Sequence, residues 1–199
     1  MKRGIVFLAA WLSLAAGQFA LAADNAKPAT AIFAGGCFWC TESDFEKLPG
    51  VIGAESGYTA GRVANPSYEQ VSAGGTGHTE AVRVSYDPAK VSYSQLVEYF
   101  WRTIDPTVKD QQFCDRGTQY RSGIYPANDV EKKTAEASRE ALLKSGKLKQ
   151  IQTEIVPASA FYPAEEYHQD YYKKNPLRYA YYRKGCGRDA RLKEVWGDK

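Results

Sequence analysis

Four cysteines set the chemistry open to this chain. Cys37 and Cys40 form a C-x-x-C within Gly35-Gly36-Cys37-Phe38-Trp39-Cys40, Cys114 precedes Asp115, and Cys186 stands between Gly185 and Gly187. Thiolates serve as nucleophiles, redox carriers or metal ligands, and four cysteines admit three disulfide pairings that spacing does not separate. The glycine pair ahead of Cys37 and the helix-like run behind it predict a strand-to-helix turn. There, unpaired amide N–H groups and the positive end of the helix dipole lower a thiol pKa. A buried inert cysteine or half of a structural bridge is the plainer alternative; glycines that let a ligand approach the backbone favour the nucleophile. Cys186, between glycines near the end of the chain, suits a resolving thiol carried on a mobile segment, with a structural tail bridge as its alternative.

Other side chains can serve such a thiol. Phe38 and Trp39 follow it directly and can wall a small apolar pocket, such as one holding a methyl group, although adjacent aromatics are more often plain core. In Thr79 to Tyr86, Glu80 shares a face with Val82 and Val84. A carboxyl group there loses hydration, its pKa rises, and it keeps a proton for a leaving oxygen; a frayed strand end in water is the equal alternative. Tyr68 and Tyr120 each offer an O–H, with Tyr120 expected on the strand face of Ser122 and Ile124; among 14 tyrosines neither stands out alone. His168, in Glu165-Glu166-Tyr167-His168-Gln169, reads as structural, on a helix among polar neighbours.

The elements that must position these groups follow from periodicity. Thr30 to Ala34 reads as a buried strand, Thr41 to Leu48 as a helix closed by Pro49-Gly50, and Val51 to Tyr58 as a second strand. A glycine-containing loop from Gly57 to Pro66 leads to a helical turn over Ser67 to Val71. Thr79 to Tyr86 alternates as a strand, and Ser92-x-x-Gln95 caps a helix running through Leu96 to Ile104. Tyr120 to Tyr125 reads as another strand, Asn128 to Lys144 as a long helix, and Ile151 to Val156 as a last strand. This order predicts an α+β fold: a ferredoxin-like (split βαβ) two-layer sandwich with a mixed sheet. An irregular, tyrosine- and arginine-rich C-terminal tail from Phe161 wraps the domain.

Composition bounds the rest. Met1-Lys2-Arg3, an apolar run from Gly4 to Ala16 and the Ala20-Leu21-Ala22 site read as a signal peptide over residues 1–22, too short in its apolar core for a spanning helix. Residues 23–199 then form a single catalytic domain, exported to a periplasmic or secreted location and not held in a membrane after cleavage. The formal charge of +3 includes Lys2 and Arg3, and no basic run marks a nucleic-acid surface. Met1 is the only methionine, which suits a protein working among methionine oxidants, or chance composition.

Taken together, these segments resemble the type A peptide methionine sulfoxide reductases. The resemblance is carried in order by Gly36-Cys37-Phe38-Trp39, by Gly57-Tyr58 through Asn65-Pro66-Ser67-Tyr68-Glu69, and by Gly77-His78-Thr79-Glu80-Ala81-Val82. It continues through Asp115-Arg116-Gly117-Thr118-Gln119-Tyr120-Arg121-Ser122 and the tail from Phe161-Tyr162-Pro163 to Gly185-Cys186-Gly187-Arg188-Asp189. The resemblance implies that Cys37 attacks the sulfoxide sulfur, Glu80 supplies a proton, Tyr68 and Tyr120 hold the oxygen, Phe38 and Trp39 take the methyl group, and Asp115 orders the site. It implies a sulfenic acid on Cys37 that the match to Cys186 resolves to a disulfide. It further implies S-epimer substrates, free or in oxidised proteins, and a monomer without metal or bound cofactor, recycled by an external dithiol such as a thioredoxin-like protein. Cys40 and Cys114 are not part of the simplest family pattern and read as extra redox relays, a bridge or packing.

Three other readings compete. Cys37-Phe38-Trp39-Cys40 is itself the C-x-x-C of a thiol–disulfide exchange protein, although that scheme has no use for the Gly77 to Val82 stretch or Cys186. A zinc site would need a second ligand pair, whereas Cys114, Cys186, His78 and His168 stand singly. A disulfide-stabilised binding module remains as the non-enzyme reading.

Overall fold

Apolar, β-branched and alternating segments pair where periodicity places them. In the computed structural model, which describes residues 27–197, β1 (Ala29–Gly35) is followed by α1 (Phe38–Phe45), β2 (Val51–Thr59), α2 (Tyr68–Ser72), β3 (Thr79–Tyr86) and α3 (Tyr93–Trp101). The short pair β4 (Gln111–Gln112) and β5 (Asp115–Arg116) precedes β6 (Ser122–Tyr125), α4 (Asp129–Lys144), β7 (Glu154–Ile155) and β8 (Tyr162–Pro163). Three helices close the described chain: α5 (Tyr171–Lys174), α6 (Pro176–Gly185) and α7 (Arg188–Trp196). The expected signal peptide lies outside the described residues.

The main sheet has the order β7-β6-β1-β3-β2-β8. β3 is antiparallel to both β1 and β2, so these two run parallel with β3 between them; β6 is antiparallel to β1, and β7 adds a parallel pair that makes the sheet mixed. One face packs on α1 and α3. Phe33 stacks on Phe45 at 4.8 Å and tilts against Phe100 at 5.1 Å, within a core that includes Val82, Val84 and Leu96. Aromatic pairs of this kind add to simple burial. The other face holds Ala34, Ala81 and Tyr125 and is covered by Ala158 and Phe161.

Several expected boundaries move for local reasons. α1 begins three residues early, because the Cys37 carbonyl accepts from the Cys40 and Thr41 amides, both at 3.2 Å. Tyr120 sits in a 3-10 turn over Thr118–Tyr120, and strand pairing starts only at Ser122, so it does not share a strand face with Ile124. The strand expected over Ile151 to Val156 shrinks to β7, two residues at the sheet edge. Ser92 and Gln95 form the expected capping box, and Ser67 with Gln70 forms another at α2. The tail wraps the domain as expected but is largely helical: Pro176 opens α6, where the lost amide costs nothing.

Candidate active site

Gly36 explains how Cys37 comes to stand at its turn. Its φ is +82°, and a Cβ there would lie 2.5 Å from Gln112 Cβ, so only glycine fits. Gln112 is fully buried and braced at both ends of its amide, accepting from the Asp105 amide at 2.9 Å and donating to the Asp105 carbonyl at 2.7 Å. The turn delivers Cys37 to the N-cap of α1, as its spacing predicts.

Cys37 opens onto a cavity of about 210 Å³ lined also by Phe38, Trp39, Tyr68, Glu80, Asp115, Tyr120 and Tyr182. Seven of these eight were singled out from sequence. A larger cavity of about 460 Å³ beside Tyr99, Leu192 and Trp196 contains no cysteine or histidine.

Glu80 occupies the apolar face of β3, as the alternation predicts, and is 2% exposed. Its Oε2 accepts from the Phe38 amide at 2.9 Å. Burial pushes its carboxyl up to about 8, with Asp115 and Cys40 adding to the rise and the Phe38 hydrogen bond opposing it. Desolvation of the charged form outweighs one hydrogen bond to it, so the group holds its proton at neutral pH. Burial likewise lifts the Tyr68 hydroxyl to about 12 and raises that of Tyr120, keeping both as donors.

The thiols depart from expectation. Burial raises the Cys37 thiol, outweighing the helix N-terminus expected to lower it, and its interaction with Cys40 raises it further. That same interaction is the leading cause of a depressed Cys40 thiol at about 7, aided by Arg188 and Arg183. The pair thus shares negative charge, held mainly on Cys40. Arg188 is 1% exposed and donates to the Gly35 carbonyl at 3.2 Å and the Thr103 carbonyl at 2.8 Å. Its planar group lies over Phe113, 4.5 Å from the ring centroid, while Arg183 pairs with Asp44 at 2.9 Å.

Cys114 and Cys186 form a disulfide, with Cys37 and Cys40 as free, buried thiols. In this state Cys186 has no thiol to offer Cys37. Of two carboxylate- or thiol-bearing clusters among the described residues that could hold a metal ion, the one at Cys114, Asp115 and Cys186 has its sulfurs bonded to each other. The other, Glu42, Glu46 and Asp170, is engaged with Ser56, Tyr172 and Lys173.

Phe38 and Trp39 are fixed by groups that sequence patterns left unassigned. Trp39 stacks on Tyr171 at 3.7 Å between centroids and donates its Nε1–H to His168 Nδ1 at 3.0 Å. His168 is buried against Phe38 and Tyr68, at 4.9 and 4.4 Å, instead of lying among polar neighbours. Burial lowers its pKa, so the neutral ring accepts from Trp39. Tyr182, Arg183 and Arg188 were also missed as site residues; the signals were the tyrosine- and arginine-rich composition around Cys186 and, for Arg188, its place in the Gly185-Cys186-Gly187-Arg188-Asp189 stretch.

A family model described as peptide methionine sulfoxide reductase matches residues 29–199. The peptide methionine sulfoxide reductase MsrA 2 of Caulobacter vibrioides is 52% identical over 198 residues, covering 99% of this chain and 100% of that one. Among solved structures, reduced Mxr1 of Saccharomyces cerevisiae superposes with a TM-score of 0.72 at 35% identity, covering 76% of this chain and 87% of that one. Mxr1 in complex with Trx2 matches with a TM-score of 0.52 at 26% identity, covering 73% and 85%.

Proposed function

Since the chain belongs to the peptide methionine sulfoxide reductase family, oxidoreductases that return methionine sulfoxide to methionine, we propose that Cys37 is its nucleophile and Glu80 its proton donor, acting on the S epimer, free or in proteins. The observation that carries this reading is the buried, proton-holding Glu80 bonded to the residue next to Cys37.

The Cys37 thiol transfers its proton to Cys40, and the Cys37 sulfur attacks the sulfoxide. Glu80 protonates the departing oxygen, which Tyr68 and Tyr120 hold by hydrogen bonds. Phe38 and Trp39 receive the methyl group, and Asp115 orders the polar side of the cavity. The hydroxyl passes from the methionine sulfur to the Cys37 sulfur as the transient bond between the two sulfurs breaks, so methionine leaves with its sulfur reduced by two electrons and Cys37 is left as the sulfenic acid.

Resolution runs first through Cys40, the free thiol beside Cys37, forming a disulfide with loss of water. Once Cys114 and Cys186 are reduced, Cys186 takes over that disulfide by thiol exchange and passes it to its exposed partner Cys114. A thioredoxin-like dithiol supplies that reduction at the surface bridge, once per turnover, in keeping with the Mxr1–Trx2 complex, and the exchange restores both the Cys37 and Cys40 thiols and the Cys114–Cys186 bond. The signal-peptide reading further places the reaction outside the cytoplasm; N-terminal sequencing of the mature protein beginning before residue 23 would count against it.

The test is dithiothreitol-driven reduction of the separate S and R epimers of a blocked methionine sulfoxide, beside Cys37→Ser. Consumption of the S epimer alone, lost in the variant, is expected. Equal consumption of both epimers, or activity retained in Cys37→Ser, would overturn the assignment.

A further inference from the structure

Tyr182 lines the cavity that holds Cys37 but has no part in the scheme above. It rises from α6, a helix that contributes nothing else to the cavity lining. Its hydroxyl donates to Asp115 Oδ2 at 2.6 Å and also interacts with the Cys37 thiol. The ring meets Trp39 edge-on at 5.7 Å, which fixes the hydroxyl between nucleophile and carboxylate.

Both ends of this contact are bracketed by one covalent bond. Asp115 follows Cys114, and Tyr182 lies one helical turn before Cys186, whose amide donates to the Tyr182 carbonyl at 2.9 Å. The Cys114–Cys186 disulfide therefore ties the segment carrying the acceptor to the helix carrying the donor.

We propose that Tyr182 is a further catalytic residue, whose hydroxyl swings between Asp115 and the Cys37 sulfur to stabilise the attacking thiolate, and that the Cys114–Cys186 bond holds it in place. A phenol has one proton to donate. With Cys37 protonated the proton goes to Asp115; as charge develops on Cys37 the hydroxyl turns to it, a charge-assisted hydrogen bond in a dry site. Opening the bridge during turnover loosens this clamp after the attack is complete.

The inference rests on the assignment of Cys37 as nucleophile. Tyr182→Phe keeps the ring against Trp39 and removes only the oxygen. Two readouts are taken: the single-turnover rate of methionine formation with Cys40 intact, and the pH midpoint of Cys37 alkylation by iodoacetamide in a Cys40→Ser background, where Cys37 is the free thiol left to react. Tyr182→Phe is expected to slow the rate at least about tenfold and move the midpoint to higher pH by about one unit. The Cys114→Ser/Cys186→Ser double variant, with Tyr182 intact, should move both readouts the same way by less. A midpoint left in place by Tyr182→Phe overturns the catalytic role even if the rate falls, because lost packing would do that. Unchanged readouts in the double variant overturn the clamp. The alkylation readout uses no substrate, so failure of the sulfoxide reading itself, seen as activity in Cys37→Ser, is distinguished from failure of this inference.

Discussion

The Phe38 amide and the Glu80 carboxyl meet at 2.9 Å, so the residue that follows the nucleophile in sequence holds the acid that serves it. Attack and protonation are positioned by one backbone turn, and displacement of either group displaces both.

Glu80 must be protonated to act, and burial holds its carboxyl at about 8. Single-turnover rates should fall as pH rises through about 8, and Glu80→Gln should remove this limb while slowing the reaction roughly 100-fold or more. A rate independent of pH between 7 and about 9 would refute the role.

Stability should move with the same proton. An unfolded glutamate titrates near about 4.3, whereas folded Glu80 titrates at about 8, so between these the folded state binds the proton that the unfolded state has lost. The Glu80 contribution is therefore most favourable below about 4.3 and declines as pH rises toward about 8. Thermal melts should show Glu80→Gln gaining stability relative to the wild type from pH 5 to about 8. Parallel curves for the two proteins would show that Glu80 titrates normally.

Arg188 is a buried cation that donates to two backbone carbonyls and pairs with buried Asp44 at 3.5 Å, so its removal takes a donor from each carbonyl and a partner from the carboxylate. Arg188→Met should cost about 3 kcal/mol in urea denaturation and weaken Cys40 ionisation, shifting its alkylation to higher pH. An alkylation profile identical to the wild type would show that Arg183 suffices.

His168 acts through Trp39. His168→Ala should raise KM for the sulfoxide several-fold by letting the indole leave its stack on Tyr171, with a smaller effect on kcat. His168→Gln, which can still accept from the indole N–H, should recover much of the loss; equal defects in both variants would indicate a packing role instead.

Gly36→Ala should be destabilising by roughly 1–3 kcal/mol, since it combines a left-handed backbone with a contact on Gln112 Cβ. Unchanged stability would mean that the turn relaxes more freely than its packing suggests.

The parts of the site legible in the amino-acid sequence are those set by local pattern. The two-residue period of Thr79 to Tyr86 places Glu80 on the face of Val82 and Val84, and the glycine pair with the run behind it places Cys37 at a helix start. Tyr120 belongs to the cavity for a reason other than the one periodicity supplied: it is held by a 3-10 turn, which alternation does not describe. The Cys37 thiol illustrates a different limit. Its helix N-terminus is readable from sequence, but the burial that overrides it comes from tertiary packing. Tyr182 and Arg188 arrive from helices more than 100 residues along the chain from Cys37, with no period linking them to it. The α+β class, a mixed sheet with helices, was legible because strand and helix patterns follow one another along the chain; the helical character of the tail was hidden by its low apolar content.

Arg188 hydrogen-bonds the carbonyl of Gly35, two residues before Cys37. The strands β1, β2 and β3 are complete by residue 86, so the sheet can pair during synthesis long before that guanidinium emerges from the ribosome. Until it docks, the nascent chain presents its thiol turn without its cationic support. Premature termination between residues 163 and 188 would therefore release a chain that has every strand of the sheet and an unfinished active centre.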